Sequence, residues 1–142
     1  MTDATALAHF EAKLRYETDP SDVFAAQGRG DAFVLVDSRG DAAWAQGRAE
    51  GALHLPTATI AARAADLIPS GTPVVVYCWG PGCNGSTKAA IEFVKLGYPV
   101  REMIGGFEYW AREGLPVVTD DGHVHRPVDA LTSPANTVSC DC

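Results

Sequence analysis

Positive charge is scarce in this sequence. Its 142 residues carry 11 Lys and Arg against 18 Asp and Glu, a formal net charge of −7 at neutral pH. Gripping a phosphate backbone needs clustered cations, so nucleic acid is excluded as the main partner. Long apolar runs are also missing. None approaches the roughly 20 residues that a membrane-spanning helix requires, and no membrane partner is expected. The opening stretch MTDATALAHFEAKL has neither the basic start nor the apolar block of a secretory leader, which points to the cytoplasm. In a reducing compartment the four cysteines do not read as a disulfide framework. They read as free, catalytic, redox-active or metal-binding thiols. No repeat at solenoid spacing appears. No two carboxylates are placed for acid–base work, and Asp41, Glu50 and the other acidic residues read as solvated surface.

What is present is an alternation of strands and helices. Residues 4–15 have helical periodicity, with Leu7, Phe10 and Leu14 on one side. Asp19-Pro20 is an N-cap followed by proline at the first helical position, starting a helix that Gly28 and Gly30 end. AFVLVD (32–37) is a continuous apolar strand, so both its faces are expected to be buried. A short helix from about 41, a short strand ALHLP (52–56) and an alanine-rich helix (58–67) follow. VVVYC (74–78) is the most apolar strand; after it come a helix over 86–96 with Ala90, Ile91 and Val94 inward, a strand PVREMI (99–104) and a closing helix GGFEYWARE. Such alternation implies an α/β domain: a mostly parallel sheet with helices on both faces. The domain is expected to span 1–118, including an N-terminal helix over 1–15, with 119–142 as an extended tail.

The stretch VVVYCWGPGCNGSTKAA, residues 74–90, holds the most informative chemistry. Cys78 ends a buried strand, and in open α/β sheets sites form beyond the carboxyl ends of the strands. The loop Trp79, Gly80, Pro81, Gly82, Cys83, Asn84, Gly85 leads to a helix start at Ser86. Its glycines permit backbone angles that aim amides inward, and the helix N-terminus behind them completes an anion cradle. A thiolate in such a cradle is stabilised, so the Cys78 pKa is expected to fall. The competing reading is a buried, inert cysteine at a strand end.

Four ordered motifs bear on the choice. LVDSR places Asp37 and Arg39 after the first long strand. GRAEGALHLP carries Arg48. VVVYC ends at Cys78, and IGGFEYW carries Gly105, Gly106 and Trp110. Over about residues 16–118 the chain resembles a single rhodanese domain of the sulfurtransferase family. The resemblance implies a five-stranded rhodanese-like sheet and a ping-pong cycle that needs no cofactor and no metal. Cys78 would take a sulfane sulfur from a small-molecule or protein donor and pass it from a persulfide to a thiol or cyanide. Residues 79–86 would hold the charged sulfur, and Asp37 and Arg39 would brace the site or simply tie two loops together.

The chain also departs from that family. Seven residues separate Cys78 from Ser86, a longer loop than is usual there, and none is basic. Longer loops occur in rhodanese-fold phosphatases and arsenate reductases, but those clamp their oxyanion with Arg; Asn84 stands at about that position. Arg48 could substitute from the adjacent segment. Trp79 suits a less charged donor, a docking protein or simple lid packing. Cys83 could act as a resolving thiol, which leaves a thiol–disulfide or arsenate-reductase-like enzyme as one alternative and a non-catalytic rhodanese-fold binding module as another. Cys140 and Cys142 could form a redox arm or, with His123 and His125, ligate zinc, although the spacing matches no standard finger. His9 and His54 read as structural.

Overall fold

Asp3 starts the first helix. Its carboxylate accepts from the Thr5 and Ala6 amides at 3.0 Å, two donors that a helix start leaves unpaired, and α1 runs Ala4–Tyr16. The computed structural model describes residues 1–134. A two-residue strand, β1 (Glu17–Thr18), precedes α2 (Pro20–Arg29), which has Asp19 as N-cap and Gly30, at φ 74°, as C-cap. Then come β2 (Val34–Asp37), α3 (Asp41–Gln46), β3 (Arg48–Ala49), β4 (Leu53–His54) and a 3-10 turn leading into α4 (Ile60–Leu67). The remainder is β5 (Val74–Tyr77), α5 (Gly85–Lys95), β6 (Val100–Met103), α6 (Gly106–Arg112), β7 (Val117–Thr119) and β8 (Gly122–Val124).

Five strands form a parallel sheet in the order β1-β6-β5-β2-β4. Side chains alternate across a strand, which explains the unbroken apolar run of β5. Val74 and Val76 enter one core with Ile60 and Ala64 of α4 and Ala89 and Phe93 of α5. Val75 and Tyr77 enter the other, with Val23 of α2 and Trp110 of α6. Helices therefore cover both faces, as expected. The strand order puts β5 in the middle, so whatever follows Tyr77 emerges at the centre of the carboxyl edge. No helix among the described residues is long and apolar enough to cross a membrane.

Three expectations are corrected. α1 buries no residue; Leu7, Phe10 and Leu14 face solvent, and the helix is tied to the sheet edge by the Arg101 guanidinium, which donates to the Leu14 and Glu17 carbonyls. In α5 the inward residues are Ser86, Ala89 and Phe93, while Ile91 and Val94 are 50% and 60% exposed. That helix carries two adjacent apolar stripes, and the one with the large Phe93 ring packs. Finally, the chain past Val118 does not begin as an extended tail. β7 and β8 form an antiparallel hairpin that adds to β3, and the Asp129 amide and carboxylate bond to Arg112.

One half-buried carboxyl sets a pH dependence. Glu113 has an oxygen that is buried without a hydrogen-bond partner; burial, helped by the charge of Asp19, pushes its pKa up to about 7 from 4.5. Between those values the folded chain keeps a proton that the unfolded chain has released. Stability present in full at lower pH is thus lost as the pH rises through 7. Glu113→Gln is expected to be neutral near pH 4 and to add about 1 kcal/mol above pH 7 after solvent screening. Urea unfolding at the two pH values checks this.

Candidate active site

The carboxyl ends of β2 and β5 lie in register, Asp37 beside Tyr77. Asp37 is fully buried and Arg39 nearly so. The Arg39 guanidinium grips both Asp37 oxygens, Nε at 3.0 and 3.2 Å and Nη2 at 2.7 Å, and Nη2 also donates to the Gly47 carbonyl at 2.6 Å. The Tyr77 hydroxyl donates to Asp37 at 2.7 Å and accepts from the Ala49 amide. Breaking such a buried pair strands a charge and costs far more than an exposed pair is worth. Asp37 and Arg39 therefore serve as a brace. Arg39 reaches further through its face, since its guanidinium carbon lies 4.4 Å from the ring centroids of both Trp79 and Phe107. That stacking fixes the first residue of the loop, so Trp79 packs on the brace.

The loop takes its orientation from α6. The Cys78 and Trp79 carbonyls accept from the Phe107 and Glu108 amides at 2.9 and 2.7 Å. A trans peptide points its N–H opposite to its carbonyl, so the Trp79 and Gly80 amides point away from α6, and that of Trp79 acts on both thiols. This approach requires glycine at 106: φ is +61°, and a Cβ there would lie 2.6 Å from the Cys78 carbonyl oxygen. Pro81 and Gly82 then occupy the middle of a turn closed by the Cys83 amide on the Gly80 carbonyl at 3.0 Å. The turn brings Cys83 back beside Cys78. Asn84 precedes α5 and makes no side-chain cap bond. Ser86 is buried and donates to Glu102 at 3.0 Å.

Cys78 and Cys83 are both free thiols. They share a cavity of about 280 Å³ with Ser86, Thr87, Glu102 and Glu17. A larger cavity, about 600 Å³, opens at the opposite, amino ends of the strands and holds neither cysteine; the smaller one is lined by both. The expected fall in the Cys78 pKa is corrected. Burial, with donation of its S–H to Cys83, pushes Cys78 up to about 11, and the Trp79 amide and the Arg39 charge do not offset this. For Cys83 burial also acts upward, but hydrogen bonds from Cys78 and from the Gly85 and Trp79 amides outweigh it and leave the thiol below its ordinary value. Of the two thiols, Cys83 is therefore the one whose ionisation its surroundings favour.

Other residues lie elsewhere. Arg48 stacks on Trp44 and pairs with Asp120 at 3.0 Å, away from the thiols. His54 stacks on Trp44 and bonds the Arg39 carbonyl, a structural role, whereas His9 is exposed on α1 and meets Phe10. His123 and His125 are exposed; Cys140 and Cys142, and with them the zinc and redox-arm readings, lie outside the described residues. Those residues hold no cluster of three metal-ligating side chains. Glu17, Thr87 and Glu102 are polar pocket residues outside the expected site, and Glu102 is the one that Ser86 and Thr87 both bond. The signal for it was its place near the carboxyl end of the strand next to β5.

Residues 19–113 match the family described as the rhodanese-like domain, and the chain belongs to that family. A protein named sulfurtransferase from Allochromatium vinosum is 40% identical over 90 residues, 63% of this chain and 81% of that protein. The thiosulfate sulfurtransferase GlpE of Pseudomonas fluorescens is 39% identical over 98 residues, 67% of this chain and 84% of that one. Among solved structures, the BH2092 protein from Bacillus halodurans has a TM-score of 0.77 at 36% identity, covering 83% of this chain and 87% of its own.

Proposed function

We propose that this protein is a sulfurtransferase that carries a sulfane sulfur as a persulfide on Cys78 and delivers it to a thiol or cyanide. One observation carries the reading. Cys78 follows the central strand into a pocket, its carbonyl is held by the Phe107 amide of α6, and the Trp79 amide acts on its sulfur. The naming of related proteins as sulfurtransferases supports it. As Cys78 attacks the donor, its thiol proton passes to Cys83, whose ionised form its surroundings favour. A bond forms between Sγ and the sulfane sulfur, and the donor's own bond to that sulfur breaks with release of a thiol or sulfite. An acceptor then attacks the outer sulfur and regenerates Cys78. No cofactor is needed.

The pocket's charge points to the donor class. Glu17 and Glu102 line it, and no Lys or Arg does. A dianion such as thiosulfate is disfavoured there, and a small-molecule or protein persulfide is preferred. The absence of a basic clamp also argues against phosphatase and arsenate chemistry. Thiocyanate formation from cyanide tests both points. An organic persulfide should turn over faster than thiosulfate, and no turnover with either would contradict the proposal. Glu102→Gln should raise kcat/KM for thiosulfate about five- to tenfold. Unit charges a few ångströms apart near a protein surface interact by about 2–4 kcal/mol before salt screening, and the gain should shrink in high salt.

A further inference from the structure

A sulfur carrier needs one thiol, and this pocket is lined by two. The Gly80–Cys83 turn folds the second back toward the first, close enough that each thiol shifts the other's ionisation. Both sulfurs converge on one backbone position: a Cβ at Gly85 would lie 2.6 Å from the Cys78 sulfur and 3.3 Å from that of Cys83. The Gly85 amide faces the Cys83 sulfur at 3.4 Å, as it would to hold a thiolate. Cys83 lines the same cavity and is less buried than Cys78.

We infer that Cys83 is a built-in sulfur acceptor, which discharges the Cys78 persulfide as hydrogen sulfide and leaves a Cys78–Cys83 disulfide. The inference rests on the persulfide reading above. The proton that Cys83 received during loading passes to the outer sulfur. The Cys83 thiolate then attacks the inner sulfur, Sγ of Cys78. The Sγ–Sγ bond forms, the bond from Cys78 to the outer sulfur breaks, and that sulfur leaves as hydrosulfide. Two external thiols reduce the disulfide, leaving as their own disulfide and restoring the dithiol. Over one cycle a persulfide and two thiols become a thiol, hydrogen sulfide and an oxidised thiol pair. The second substrate class is thus a low-molecular-weight or protein thiol that acts as reductant. The chain would be a thiol-dependent persulfide reductase as well as a transferase. The lack of a basic clamp fits this chemistry, because neither the persulfide nor the departing hydrosulfide needs the bidentate grip of a tetrahedral oxyanion.

The test is a single turnover without oxygen, with one equivalent of glutathione persulfide and no added thiol, following sulfide release and intact mass. Wild type should release nearly one equivalent of sulfide and lose the mass of two hydrogens, with peptide mapping placing the disulfide at 78–83. Cys83→Ser should instead gain the mass of one sulfur and release sulfide at least about 100-fold more slowly, because the intramolecular thiol is gone, until an external thiol is supplied. Cys83→Ala, expected to behave alike, guards against a serine-specific defect, and thermal melting checks that both variants fold. Wild type that keeps the added sulfur and releases no sulfide would overturn the inference and leave the transferase reading standing. Undiminished sulfide release from the Cys83 variants would overturn it in the same way. If neither wild type nor variant gains sulfur or releases sulfide, the transferase reading fails and the inference falls with it.

Discussion

Cys78→Ser is expected to bring sulfur transfer to background, a loss on the order of 1000-fold or more, while stability changes by about 1 kcal/mol or less. A hydroxyl in place of the thiol keeps the volume of the site nearly constant and can still donate to Cys83. It cannot hold a transferable sulfur. The contrast between lost turnover and retained stability separates chemistry from packing. Steady-state thiocyanate formation and a urea titration measure the two. An equally large loss of stability would mean that Cys78 acts mainly as core.

Gly106→Ala should damage stability and turnover together. The residue sits at φ +61°, where an L side chain is strained, and its Cβ would lie 2.9 Å from the Gly80 nitrogen as well as against the Cys78 carbonyl. These neighbours are backbone atoms, which cannot rotate aside. Relief requires α6 to withdraw, and the Phe107 and Glu108 amides then lose the two loop carbonyls. Strain and clash together are expected to cost on the order of 3 kcal/mol. In the fraction that stays folded, the peptides after Cys78 lose their fixed orientation, and turnover should fall at least about tenfold. Stability near that of wild type would show that the α6 contact does not set the loop.

Much of this was legible in the residues. The apolar run of β5 needed no tertiary information, since a strand buried on both faces reads as VVVY, and Asp19-Pro20 marked the start of α2 through local hydrogen bonding alone. The position of Cys78 followed from the strand end and the turn-rich loop. The orientation of α5 was not legible, because Ala89 with Phe93 and Ile91 with Val94 offer two neighbouring apolar stripes and only packing chooses between them. β1 and β3 have two residues each, too few for any period. Which thiol ionises depends on where Pro81 and Gly82 turn the chain, and on which sulfur the Gly85 amide meets. Spacing alone does not encode that. In the sequence Glu102 is one polar residue in a strand, and only the fold brings Ser86 and Thr87 to donate to it.

The central claim is that Cys78 is the atom that carries sulfur. It is tested most directly by loading Cys83→Ser with an isotopically labelled persulfide donor, blocking with an alkylating reagent and mapping the peptides. The Cys83 variant is used because it cannot discharge the sulfur internally. The account requires the labelled sulfur between Cys78 and the blocking group, at close to one equivalent. Label on Cys140 or Cys142 with Cys78 unmodified, or no stable label at all in a folded protein, would contradict it.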